Sequence, residues 1–81
     1  MIYGLGLIEK LRLRKEIQPG EKVFLARMHE EGGTYRLFIT GINIASAEVQ
    51  AEQWTYLHPG DMVISVEEYD LEKNTFVWER K

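Results

Sequence analysis

Three basic residues near the N-terminus have types and spacing that suggest a binding chemistry. Lys10, Arg12 and Arg14 alternate with other residues, so on a strand they would share one face at a spacing of about 7 Å. That spacing is close to the separation of successive phosphates along a single nucleic-acid strand. With Tyr35 and Phe38 as stacking aromatics, they form a candidate face for single-stranded nucleic acid or for a protein partner.

The overall charge opposes a nucleic-acid function. The chain has 10 lysine and arginine residues against 13 aspartate and glutamate residues, which gives a net charge of −3. Non-specific nucleic-acid binding depends on basic side chains that neutralise phosphates. A basic strand face can also be solvated, and it can pair with glutamates on neighbouring strands. We therefore rank nucleic-acid binding below protein binding.

Catalytic and metal chemistry have few candidates. The sequence contains no cysteine and only two histidines, His29 and His58, both of which we place in loops. His29 precedes Glu30 and Glu31, but adjacent residues of an extended segment point in opposite directions. At most two of these side chains can then converge on a zinc ion, which needs three or four ligands. We predict that the protein is not an enzyme, with no catalytic residue, no metal-binding residue and no cofactor.

Aromatic side chains are the second kind of candidate. Most of them should lie in the core, because a chain this small needs large buried side chains, each worth about 2–3 kcal/mol. Any that remain at the surface are favoured anchors of protein interfaces. We select Trp54, Tyr69 and Trp78 as candidate interface aromatics.

Strands are the elements expected to position these candidates. Between residues 3 and 17, apolar residues alternate with glycine and basic residues, which is typical of a half-buried strand. Glu9 interrupts the alternation, so we expect a bend between two shorter strands within an N-terminal strand region over 2–17. Residues 42–49 are also expected to be extended, and only residues 52–57 are predicted to form a short helical turn.

Two similar turns divide the rest of the chain. Pro19-Gly20-Glu21 recurs as Pro59-Gly60-Asp61, and each turn precedes an apolar strand, an acidic loop and a threonine–aromatic pair. We predict two similar hairpins over about 19–40 and 59–80. The repetition reflects either an internal duplication or only shared turn chemistry, and the sequence leaves both interpretations open.

These elements predict a mainly all-β fold. We expect a small antiparallel barrel or sandwich of five to six strands, similar in architecture to SH3-like and OB-like small barrels. The sequence matches no family's functional motif, so this similarity implies no function. A length of 81 residues fits one domain over 1–81.

From these features we expect a non-catalytic interaction module. It would act as a regulator, adaptor or inhibitor through contacts with a protein partner or with a second copy. The alternative is a barrel that binds single-stranded nucleic acid, and a third option is a structural subunit of a larger assembly. The apolar N-terminus is too short for a signal-peptide core and no run is long enough to span a membrane, so we expect a cytoplasmic protein without a membrane partner.

Overall fold

The computed structural model describes residues 2–4 and 6–80. Five strands of the described chain form one antiparallel sheet, in the order β1-β3-β2-β4-β5. The elements in chain order are β1 (Ile2–Tyr3), α1 (Leu7–Glu16), β2 (Lys22–Glu30), β3 (Gly33–Gly41), α2 (Ile44–Leu57), β4 (Met62–Asp70), β5 (Thr75–Phe76) and a 3-10 helix (Val77–Arg80).

The strand β2 lies at the centre of the sheet and contributes buried side chains to both faces. Phe24, Ala26 and Met28 pack on the side of α2, whereas Val23 and Leu25 pack on the side of α1. We call these sides the α2 face and the α1 face. A strand covered on both faces has a nearly continuous run of apolar residues, as β2 has at its start.

The helix α2 covers one face of the sheet and is much longer than the turn expected over 52–57. Its buried residues are Ala47 and Ala51, whose small side chains allow the helix to lie close to the strands. The side chain of Asn43 accepts a hydrogen bond from the Ser46 backbone N–H at 2.8 Å, which caps the first turn. The extended conformation expected for residues 42–49 is therefore wrong from Ile44 onward.

The helix α1 lies on the opposite face, and the strand region expected over 2–17 is wrong for most of its length. Among the described residues of this region, Ile2–Tyr3 alone is a strand, and residues 7–16 are helical. Leucine, lysine, arginine and glutamate are all good helix formers, so the period-two alternation did not determine the structure here. Leu13 is the buried residue of α1, whereas Leu7 is 74% exposed.

The mainly β character of the fold is confirmed, but the five described strands form one sheet and not the barrel that was one of the two expected arrangements. The sheet is open, and a helix packs on each face. The finer similarity to SH3-like or OB-like barrels is not confirmed. Neither α1 nor α2 is long and apolar enough to cross a membrane.

The end of the chain contains less strand than expected. The region 59–80 contains β4 and β5, but β5 has only two residues and residues 77–80 form a 3-10 helix. In the turn between the two strands, the carboxylate of Asp70 accepts hydrogen bonds from the backbone N–H groups of Glu72 and Lys73. Asn74 adopts a positive φ of 53° before β5 begins. In the hairpin expected over about 59–80, the second strand therefore consists of Thr75 and Phe76, and the 3-10 helix follows it.

Candidate interaction site

The basic residues selected from the sequence lie on α1 and form no strand-like stripe. Lys10 and Arg14 are one helical turn apart, whereas Arg12 points to another side of the helix. The Lys10 ammonium lies 5.5 Å from the centre of the Phe38 ring, on the α1 face. The Arg14 guanidinium donates a hydrogen bond of 2.8 Å to the Leu71 carbonyl. Two of the three cations thus contact the body of the protein.

The two aromatics assigned to the same face lie on opposite sides of the sheet. Phe38 is 1% exposed on the α1 face, so its ring is not accessible to a base. Tyr35 packs against the core of the α2 face. The structure therefore does not bring the five residues together, and ligand binding by any of them stays a prediction.

The candidate interface aromatics differ in exposure. Trp54 is half-buried against the α2-face core. Tyr69 lies between two rings, with centroids 5.7 Å from Phe38 and 5.3 Å from Phe76. Trp78 is 55% exposed, although its indole N–H donates to the Glu67 carboxylate at 3.0 Å. Of these three side chains, Trp78 offers the most surface to a partner.

The outer edge of β3 is open over half of its length. β1 pairs with Phe38 and Ile39 and ends at Tyr3. Within the described residues, the segment 33–37 of β3 pairs with β2 alone. The outward-facing backbone N–H and C=O groups of this segment therefore have no strand partner in the described part of the chain. Such an edge is a ready template for another chain.

A groove of about 540 Å³ runs beside this open edge. Tyr35, Leu37 and Trp54 line it from the α2 face, and Arg27 and Arg36 line it from the α1 face. We call this feature the β3-edge groove. It presents one apolar and aromatic wall and one basic wall on either side of unpaired backbone.

Hydrogen bonds hold the aromatic wall of the groove in place. The Trp54 indole N–H donates to the Tyr35 hydroxyl at 2.8 Å, and that hydroxyl donates to the Asp61 carboxylate. The His58 ring stacks on Trp54 with a centroid separation of 4.0 Å. Burial raises the pKa of the Tyr35 phenol above its ordinary value, and the hydrogen bond to Asp61 adds to this effect. The phenol therefore stays protonated and keeps donating at neutral pH.

The basic wall is built from two arginines in direct cross-strand register. Arg27 of β2 lies opposite Arg36 of β3, and both side chains are exposed. Within the described residues, no carboxylate forms an ion pair with either guanidinium. Like charges in directly opposed positions destabilise a sheet by roughly 0.2–1 kcal/mol. This arrangement concentrates positive charge in a chain whose net charge is −3.

The edge of β4 is built differently from that of β3. β4 pairs with β5 only at Tyr69 and Asp70, so its first part also borders the open side. Its pairing with β2 is irregular, because the register shifts between Arg27 and Met28 and leaves Ile64 without a partner. Such bulges disrupt an edge and discourage another chain from pairing with it. β3 pairs with β2 without any shift, so its edge is the regular one.

The two histidines lie on different elements of the fold. His29 is an exposed residue near the end of β2, and His58 follows α2 and stacks on Trp54. In the part of the chain that the structure describes, no group of three or more histidine, cysteine, aspartate or glutamate side chains is arranged to hold a metal ion.

The fold and groove define a small β-rich protein with an open sheet edge between two helix-covered faces. No family model, no curated protein and no solved structure matches this chain significantly. Any function must therefore be argued from the groove itself.

Sequence reasoning misses Arg27 and Arg36. One feature of the sequence points to Arg27. It lies on the same face of the strand as Val23 and Leu25, which are buried, and an unpaired cation on such a face is unusual.

Proposed function

We propose that this protein is a non-catalytic interaction module that binds an extended segment of a partner protein along the free edge of β3. The carrying observation is that, among the residues that the structure describes, the segment 33–37 of β3 pairs only with β2 and borders the β3-edge groove. Addition of a strand to such an edge is a common mode of peptide recognition, because main-chain hydrogen bonds supply affinity and side-chain pockets supply specificity.

The length of the open edge suits a short peptide. β1 already occupies the first part of this edge, and Gly4 lines the end of the groove beyond it. A docked strand would continue the line of β1 along residues 33–37, a distance of about 17 Å at 3.3 Å per residue. That length equals a typical strand of five or six residues.

The preorganised aromatic wall supports binding without rearrangement. Trp54 and Tyr35 are held by their mutual hydrogen bond and by Asp61, so their side chains need not be ordered when a peptide docks. Ordering a flexible side chain costs about 0.5–1.5 kcal/mol in an interface, and a rigid wall avoids this cost.

The proposal is tested by selecting random peptides on the immobilised protein and mapping the bound state by amide hydrogen exchange. The expected result is a set of binding peptides that slow exchange within residues 33–37. Thr34→Pro is the edge-blocking variant, since proline cannot complete a ladder, and its fold is checked by circular dichroism. The proposal would be overturned if no peptide were selected. It would also be overturned if the bound peptides slowed amide exchange in α1 or β4 instead of β3.

One observation favours a second candidate, the binding of single-stranded nucleic acid. Lys10 contacts Phe38 on the α1 face, and Arg36 and Arg27 lie on the same face. Their combined charge suits phosphates, but Phe38 is too buried to stack on a base. Fluorescence titration with labelled oligothymidine at low and high salt distinguishes the candidates, because phosphate binding weakens steeply as salt is added.

A further inference from the structure

We propose that the segment bound in the β3-edge groove is acidic and amphipathic, with carboxylate side chains facing Arg27 and Arg36 and apolar side chains facing Tyr35 and Trp54. This inference rests on the proposed function and specifies the chemistry of the partner. The occupant is an extended segment of another protein in which acidic and apolar residues alternate.

The charge of the groove selects carboxylates. Arg27 and Arg36 are exposed, directly opposed and free of carboxylate partners within the described residues. A guanidinium binds a carboxylate through two parallel hydrogen bonds, and this geometry favours aspartate or glutamate over neutral side chains. An incoming carboxylate would also relieve the repulsion between the two cations. Binding therefore removes an unfavourable interaction that the free protein carries.

The alternation follows from strand geometry. Successive side chains of a strand point to opposite faces of the sheet. A segment added beside β3 therefore presents every second residue to Arg36 on the α1 face. Its other residues face Tyr35 and Leu37 on the α2 face, where Trp54 completes the apolar wall. The groove thus selects both the composition of the bound segment and the order of its residues. A shift by one residue would turn the carboxylates towards the apolar wall and the apolar side chains towards the arginines.

The same features argue against a second copy of this chain as the occupant. Antiparallel pairing of two β3 edges would bring the Arg27 and Arg36 pairs of both copies together in the same part of the interface. The other open edge, that of β4, carries the bulge at Ile64 and departs from regular strand geometry. Self-association through either route is therefore disfavoured.

Three short probe peptides test the inference, each blocked at both ends and alternating valine with glutamate, serine or lysine. Binding is measured by fluorescence anisotropy to the intact protein. We expect the valine–glutamate peptide to bind at least about tenfold more tightly than the valine–serine peptide, a difference of about 1.4 kcal/mol. The valine–lysine peptide should bind most weakly of the three.

Charge reversal supplies the decisive variant. Arg36→Glu should reverse the order of the probes, so that the valine–lysine peptide binds more tightly than the valine–glutamate peptide. The matched control is Lys15→Glu, an equal change of charge at an exposed position of α1 outside the groove, which should leave the order unchanged. Circular dichroism and thermal unfolding verify that both variants fold.

The outcomes separate this inference from the proposed function. Equal binding of the glutamate and serine probes, with protection of residues 33–37, would leave the interaction module standing and overturn the acidic partner. Failure of all probes and of the selected random peptides would overturn both. A stable dimer protected along β3, or tight salt-sensitive binding of oligothymidine that displaces the valine–glutamate probe, would overturn the acidic peptide as occupant.

Discussion

Arg27 in β2 lies directly opposite Arg36 in β3, and within the described chain neither guanidinium has a carboxylate partner. Two cations in this position cost stability, although the chain contains 13 acidic residues that would pair with them. Arg36 lies on the β3 segment whose edge β1 does not cover in the described chain, and Arg27 lies beside Arg36 on β2. This coincidence of unpaired charge and unpaired backbone is the basis of the function that we propose.

Arg36→Glu should stabilise the free protein. The substitution replaces a repulsive cross-strand pair with an attractive one, so we expect the free energy of unfolding to rise by about 0.2–1 kcal/mol. Urea denaturation at low ionic strength measures the change, which should shrink as salt is added. The same exchange at Arg12 should have a smaller effect. A clear loss of stability in Arg36→Glu would show that Arg36 has a structural partner.

Tyr35→Phe should destabilise the aromatic wall of the groove. It removes the hydrogen bond to Asp61 and leaves the Trp54 indole N–H without its acceptor, at a cost of about 1–3 kcal/mol. Chemical denaturation at neutral pH measures the loss. Tyr56→Phe is the matched control, because Tyr56 is 80% exposed and should tolerate the change.

The stabilisation by Tyr35 should disappear in alkali. Burial raises the pKa of its phenol, so the folded protein holds the phenolic proton more tightly than the unfolded chain. Such a contribution is complete below the unfolded pKa of about 10 and is lost as the pH rises through the folded pKa. The difference in stability between the wild type and Tyr35→Phe should therefore be constant near neutrality and shrink above about pH 10. A difference that grew with pH would contradict this assignment.

Leu13→Ala should be the most damaging truncation in α1. Leu13 is fully buried among residues of β2 and β3, and its loss should cost about 2–5 kcal/mol. Leu11→Ala removes the same atoms from a residue that is 47% exposed, so its effect should be much smaller. Thermal unfolding of the two variants makes the comparison. Equal losses of stability in the two variants would show that α1 does not pack on the sheet through Leu13.

Asn43→Ala should weaken the start of α2. The Asn43 side chain accepts the Ser46 N–H, and removal of such a cap costs about 0.5–2 kcal/mol. Asn43→Asp retains a side-chain acceptor, so its stability should remain close to that of the wild type. Helix content by circular dichroism and the unfolding midpoint report the result. Equal losses in both variants would mean that the cap is not the source of the stability.

The central hairpin could be predicted from sequence because its signals are local. The prediction placed a hairpin over about 19–40, and β2 and β3 occupy 22–30 and 33–41. Alternation and turn residues act within a few positions of each other, so they are readable without tertiary contacts. The helix α1 was missed because its leucines follow a period of two and it has no continuous apolar stripe: Leu13 is buried, whereas Leu7 and Leu11 are exposed.

The sequence by itself determined the mainly β character, the apolar central strand and the absence of cysteine chemistry. Packing decided which faces the helices cover, where β1 stops and whether the sheet closes, since each depends on contacts between residues distant along the chain. The candidate site is one of the features that packing decided. Arg27 and Arg36 become neighbours only through the register of β2 with β3, and the open edge exists only because β1 ends at Tyr3.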